Sequence, residues 1–112
     1  MRVVTYNIQY WTGMDGRQDA ERTIAVIQEM NPDILAMQEV VHPHPLADGR
    51  PALERVAEAL GGDYVFTPIW PAGAIPHIPA PMGLALVSRY PIQAHASHRL
   101  THTGPGETRW LL

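Results

Sequence analysis

The chain has 112 residues, 46% of them hydrophobic and 17% charged, a composition that belongs to a globular domain and excludes a disordered tail. Its net charge of −3 and pI near 6.0 create no basic field for a phosphate backbone, so charge lends a nucleic-acid partner no support. Zero cysteines exclude disulfides, thiolate catalysis and cysteine-type zinc sites.

Val3 to Ile8 is a short β-prone run that suits a first strand buried in a sheet. Gly13, Asp15 and Gly16 break it. From Arg17 to Met30 the positions Ala20, Thr23, Ile24, Ile27 and Met30 recur at steps of three and four, the stripe of an amphipathic helix lying on a sheet. Asp15 is the expected N-cap, and Asp19 and Glu21 lie near the positive end of the helix dipole. Asn31-Pro32 ends the helix, because proline cannot continue the hydrogen-bond ladder and asparagine tolerates a left-handed cap. Ile34 to Met37 is apolar without alternation, as in a strand covered on both faces. Strand, helix, strand predicts a right-handed βαβ unit with parallel strands.

Val41 to Pro51 reads as a loop, Pro51 to Leu60 as a second helix closed by Gly61-Gly62, and Asp63 to Ile69 as a third strand. Trp70 to Met82, rich in proline and poor in polar side chains, reads as a long irregular surface segment. Gly83 to Tyr90, Gln93 to Leu100 and Thr108 to Leu112 are the remaining expected strands. No repeat or linker divides the chain. No run approaches the roughly 20 apolar residues that span a bilayer, and Met1 to Asn7 lacks a signal-peptide core, so the expected compartment is the cytoplasm.

Asn7 and Glu39 are each polar at the carboxyl end of an otherwise apolar strand of the same βαβ unit. In open α/β sheets ligands bind outside those strand ends, so the two side chains should share one crevice. A carboxylate with an amide oxygen is a hard-oxygen pair suited to magnesium, which keeps several waters. The structural alternative is that Glu39 simply ends a strand and Asn7 makes a turn contact.

Thr5-Tyr6-Asn7-Ile8, then Pro32-Asp33-Ile34-Leu35-Ala36-Met37-Gln38-Glu39-Val40, then Gly83-Leu84-Ala85-Leu86-Val87-Ser88-Arg89-Tyr90-Pro91-Ile92 together resemble the endonuclease/exonuclease/phosphatase superfamily. Its members include DNase I-like nucleases, abasic-site endonucleases, sphingomyelinases and inositol-polyphosphate 5-phosphatases. The resemblance runs through nearly the whole chain in the family's order. It implies an α/β fold, the N-terminal half of a four-layer α/β sandwich with a mixed sheet flanked by helices on one face. It further implies hydrolysis of a phosphodiester or phosphomonoester, with magnesium, or manganese in its place, as cofactor. By position, Glu39 matches the family's metal-ligating glutamate and Asn7 the asparagine beside it.

The chain departs from the family pattern in two places. Leu84 stands where many relatives have asparagine, and the family's Gly-Asp-Phe-Asn and Ser-Asp-His segments are not among these residues. The expected unit is therefore a partial domain over 1–112, truncated at its C-terminus. Arg109, in Gly106-Glu107-Thr108-Arg109, resembles the family's next strand, with structural pairing as its expected role. His42 and His44 lie in a proline-rich loop, while His95, His98 and His102 fall where a strand would scatter them over both faces. Solvent-exposed loop histidines are expected rather than a zinc site. The segment holding Trp70, Ile75, His77 and Ile78 is either a substrate-side loop or a surface that a missing half would cover.

Two functions follow. The leading one is a metal-dependent phosphoesterase in which Glu39 holds the cation, Asn7 orients that ligand or the substrate phosphate, and water attacks phosphorus in line. The competing one is a non-catalytic truncated product, or a half-domain that self-associates or needs a complementing C-terminal half, since open sheet edges and uncovered apolar faces favour association. The partner that the leading function implies is a phosphate-ester substrate.

Overall fold

The computed structural model describes residues 1–13, 16–92, 95, 98–100 and 109–111. Its elements run β1 (Val3–Asn7), α1 (Ala20–Met30), β2 (Ile34–Val41), α2 (Ala52–Leu60), β3 (Asp63–Trp70), β4 (Met82–Ser88), β5 (His98–Leu100) and β6 (Arg109–Leu111). The first four strands form one mixed sheet in the order β1-β2-β4-β3. β1 runs parallel to β2, and β4 runs antiparallel to both β2 and β3. β5 and β6 make a separate antiparallel ribbon in which Arg109 lies opposite Leu100, consistent with a pairing role for that strand. Of the expected fifth strand, Gln93, Ala94, Ala96 and Ser97 lie outside the described residues.

Both helices bury their apolar stripes in one core. Ala20, Ile24 and Ile27 of α1 and Leu53, Val56, Ala57 and Leu60 of α2 meet Leu35 and Met37 of β2 and Ala85 and Val87 of β4. Val4, Tyr6, Tyr64 and Phe66 extend this face across the outer strands. The opposite face carries Val3, Ile34, Ala36, Leu86 and Val65, placed together by alternation and register. Val3 is 65% exposed there, and the other four are only half-buried. β2 is therefore sealed on its helix side alone, and the continuous apolar run does not mark a strand covered on both faces.

Helix boundaries follow local chemistry. α1 starts at Ala20 rather than Arg17, because Asp19 caps it by accepting from the Arg22 N–H at 3.2 Å; the expected cap Asp15 lies outside the described residues. Asn31 closes α1 in the left-handed conformation, as expected. Pro51 precedes α2 without a side-chain cap, and Gly61 ends it with φ 70°. Arg89, just past β4, ties the two helix C-termini together: its Nε donates to the Leu60 carbonyl at 3.1 Å and its guanidinium to Asp33 and to Asn31 Oδ1. A cation at two helix C-termini also complements their dipoles.

Candidate functional site

The strand register breaks where the two predicted site residues lie. Met37 pairs with Ala85 and Val40 with Gly83, so β2 spends both Gln38 and Glu39 across from the single residue Leu84. This is a β-bulge, a device that re-aims a side chain. Glu39 takes φ 54°, a left-handed conformation that L-residues adopt at a cost of order 1 kcal/mol and keep only where the surroundings over-determine it. Glu39 thus sits at a kink inside β2, which continues to Val41, and not at the strand's end as the sequence suggests. Asn7 is the last residue of β1, as expected, and pairs with Gln38.

The chain leaving β1 locks the bulge in place. The Ile8 N–H donates to the Gln38 carbonyl at 3.1 Å and the Tyr10 N–H to the Glu39 carbonyl at 3.0 Å. Gln9, Tyr10 and Trp11 all have positive φ, a left-handed turn that brings Trp11 back beneath the sheet end. Trp11 is fully buried, donates its indole Nε1–H to the Val41 carbonyl at 2.8 Å and stacks on His44. The Asn7 amide oxygen accepts from the Gln9 N–H at 3.0 Å, which fixes its rotamer and leaves a second lone pair on that oxygen. Gln38 turns its amide to Thr5 Oγ1 at 2.9 Å.

A second irregularity lies on the other side of β4. Pro68 pairs with Gly83 and Trp70 with Met82, so Ile69 is the extra residue of β3. Gly83 lies between the two bulges, and a Cβ there would sit 1.9 Å from the Thr67 carbonyl oxygen. Only glycine lets β3 approach so closely.

The two bulges open the sheet end into a pocket of about 400 Å³. Asn7, Tyr10, Gln38 and Glu39 line one side, and Ile69, Trp70, Ile75, Met82 and Leu84 the other. The structure therefore brings Asn7 and Glu39 to one crevice and adds the irregular segment after β3 as its far wall. Tyr10, Gln38 and Gly83 line the pocket although sequence reasoning did not single them out, whereas Trp70 and Ile75 belong to the segment read as a possible substrate-side loop. The glycine opening the third motif and the break in strand pattern at Pro68 were the available signals.

His42 and His44 are not the exposed loop histidines expected. His42 packs edge-on against Tyr64 and Phe66, its Nδ1 is buried without a hydrogen-bond partner, and burial pushes its pKa down. Burial also lowers the pKa of His44 against Trp11. His77 and His95 are exposed. Among the described residues no three His, Cys, Asp or Glu side chains form a metal-binding group. Arg89 and Asp33 lie at the opposite end of the sheet, where the Arg2 N–H and Arg89 hold the Asp33 carboxyl below its ordinary range. No helix among the described residues is long and apolar enough to cross a membrane.

A mixed sheet with both helices on one face, and a carboxylate at a bulge in β2 sharing a pocket with an amide at the end of β1, define an α/β domain of the DNase I-like kind. The sequence matches the Endonuclease/Exonuclease/phosphatase family over residues 4–112, and the chain belongs to that family. It is similar in structure to an endonuclease/exonuclease/phosphatase from Beutenbergia cavernae DSM 12333, with 26% identity and a TM-score of 0.56 over 88% of this chain and 28% of that one. It also shares the fold of an endonuclease/exonuclease/phosphatase family protein from Leptotrichia buccalis C-1013-b, with 20% identity and a TM-score of 0.59 over 88% of this chain and 42% of that one. The chain thus spans well under two thirds of either structure. Comparison with curated proteins gave no significant match.

Proposed function

We propose that this chain carries the cation-binding portion of a metal-dependent phosphoesterase, with Glu39 as the principal ligand and Asn7 as the second. The observation that carries the reading is the bulge: a glutamate held at φ 54° by a backbone hydrogen bond from Tyr10, facing a pocket it shares with Asn7. Strain kept in place by a dedicated loop is a cost that folding alone does not require.

The donor set fits magnesium or manganese. Both side chains offer hard oxygens, and two protein ligands leave coordination positions for water and a phosphate oxygen. When bound, such a cation supplies Lewis-acid polarisation of a phosphoryl oxygen. Glu39 would supply the carboxylate ligand from its side of the pocket. Asn7 is pre-oriented by its bond from Gln9, and Tyr10 and Gln38 line the pocket beside the pair, across from Trp70.

Manganese titration followed by electron paramagnetic resonance tests the assignment. Binding should weaken more than about tenfold in Glu39→Gln, and magnesium-dependent hydrolysis of bis(p-nitrophenyl) phosphate should fall with it. Equal manganese affinity in parent and variant would sink the assignment.

A second reading, a non-catalytic half-domain that takes a complementing chain, is supported by the half-covered apolar row Val3, Ile34, Ala36, Leu86 and Val65. Size-exclusion chromatography with light scattering tests it, since a monodisperse monomer with cooperative melting argues against any need for a complement.

A further inference from the structure

The pocket has two chemically different sides, and the phosphoesterase reading uses only one. We propose that the other side, built on Trp70 and Ile75, is a subsite for a flat aromatic or heteroaromatic group carried by the phosphate ester. The inference rests on the reading of Glu39 and Asn7 as the centre that meets the phosphate.

The placement comes from the backbone. Glu39 lies on β2 and Trp70 on β3, each displaced by its own bulge, and both strands pair with β4 at Gly83 or beside it. Strands two apart in a sheet are separated by about 10 Å, and the Glu39 and Trp70 side chains that line the pocket between them shorten that gap toward the few ångströms between a phosphorus atom and a ring esterified to it. Trp70 pairs with Met82, is half-buried and packs with Ile75 against the core, so the indole is braced from behind while it lines the pocket. A braced indole offers a stacking surface at little cost in side-chain entropy. The volume of about 400 Å³ accommodates one such group together with its phosphate.

Charge narrows the class further. The charge that meets the phosphate is that of one divalent cation less the Glu39 carboxylate, and no arginine is among the described residues lining the pocket, so the site balances one negative charge rather than several. The arrangement therefore favours a singly charged diester with one ring over a polyphosphorylated ligand.

Two monoanionic diesters that differ only in the ring, methyl phenyl phosphate and dimethyl phosphate, test this by NMR titration with magnesium present. The phenyl ester should bind roughly tenfold tighter, with its ring protons shifted upfield by the indole. Trp70→Ala should remove that advantage without changing dimethyl phosphate, and Trp70→Phe should keep most of it. If Trp70→Ala does not fold, Ile75→Ser serves as the second variant and should lower phenyl-ester binding selectively.

An unchanged ratio of the two affinities in a folded Trp70→Ala protein, or in Ile75→Ser where that variant replaces it, overturns the subsite, as does failure of the phenyl ester to bind at all. Glu39→Gln separates the two claims. If it weakens both diesters while the tryptophan variant changes neither, the subsite fails and the phosphoesterase reading stands. If it changes neither diester nor manganese binding while Trp70→Ala still lowers the phenyl ester, the subsite stands and the catalytic reading fails.

Discussion

Gly83→Ala is the sharpest test of how the site is built, because it adds one methyl group where the sheet has no room for it. The new Cβ would lie 1.9 Å from the Thr67 carbonyl oxygen, 2.9 Å from the Ile69 nitrogen and 2.9 Å from Pro68 Cα, all of them backbone atoms. No rotamer can relieve that contact, so β3 must move away from β4 by more than about 1 Å, beyond the tolerance of a ladder with strands about 4.8 Å apart. Overpacking of this kind costs about 1–3 kcal/mol, and each ladder hydrogen bond lost adds about 1 kcal/mol. The lower entropy of an unfolded chain with alanine returns only about 0.4–1 kcal/mol. The expected net loss is therefore about 2–4 kcal/mol, read from urea unfolding followed by circular dichroism. Because Gly83 lies between the two bulges, manganese binding should weaken in the fraction that remains folded. A variant within about 0.5 kcal/mol of the parent, the range of ordinary surface changes, would refute the claim that β3 and β4 meet too closely for a side chain.

Glu39→Gly should raise stability by about 1 kcal/mol by relieving the left-handed conformation while abolishing manganese binding, whereas Glu39→Ala should lose binding without the gain; equal melting temperatures for the two variants would show that the backbone is not strained. Trp11→Phe removes the donor to the Val41 carbonyl and should cost about 1–3 kcal/mol, measured by urea unfolding, with a smaller loss indicating that water reaches that oxygen. Burial holds the His42 and His44 imidazoles below their ordinary value of 6.5, with the Glu54 carboxylate partly opposing the shift at His42. The unfolded chain then binds protons more readily than the folded one, so this contribution to stability is full above the ordinary imidazole value of 6.5 and declines as the pH falls below it. His42→Leu should make that decline shallower, and an unchanged slope would place the pH dependence elsewhere.

The motifs, the helix stripes and the strand order in sequence were legible without coordinates because they depend on local periodicity and on residues close together in the chain. Asn31-Pro32 and Gly61-Gly62 ended the helices where backbone preference alone dictates. Asn7 and Glu39 could be paired as a candidate site because a parallel βαβ unit places its strand ends side by side. The start of α1 was misplaced because both Asp15 and Asp19 satisfy the capping rule, and only the folded backbone shows which one accepts from Arg22. His42 and His44 were misjudged because the proline-rich loop that reads as exposed folds onto Trp11, Tyr64 and Phe66.

Sequence alone therefore determined the family, the mixed α/β class and the two polar residues, Asn7 and Glu39, that share one crevice. Tertiary structure decided how those side chains are held. The bulge at Gln38 and Glu39 exists only because β2 is read against β4, and the close approach at Gly83 only because β3 crosses there. Register is a relation between strands distant in the chain, and no local pattern of residues records where it slips.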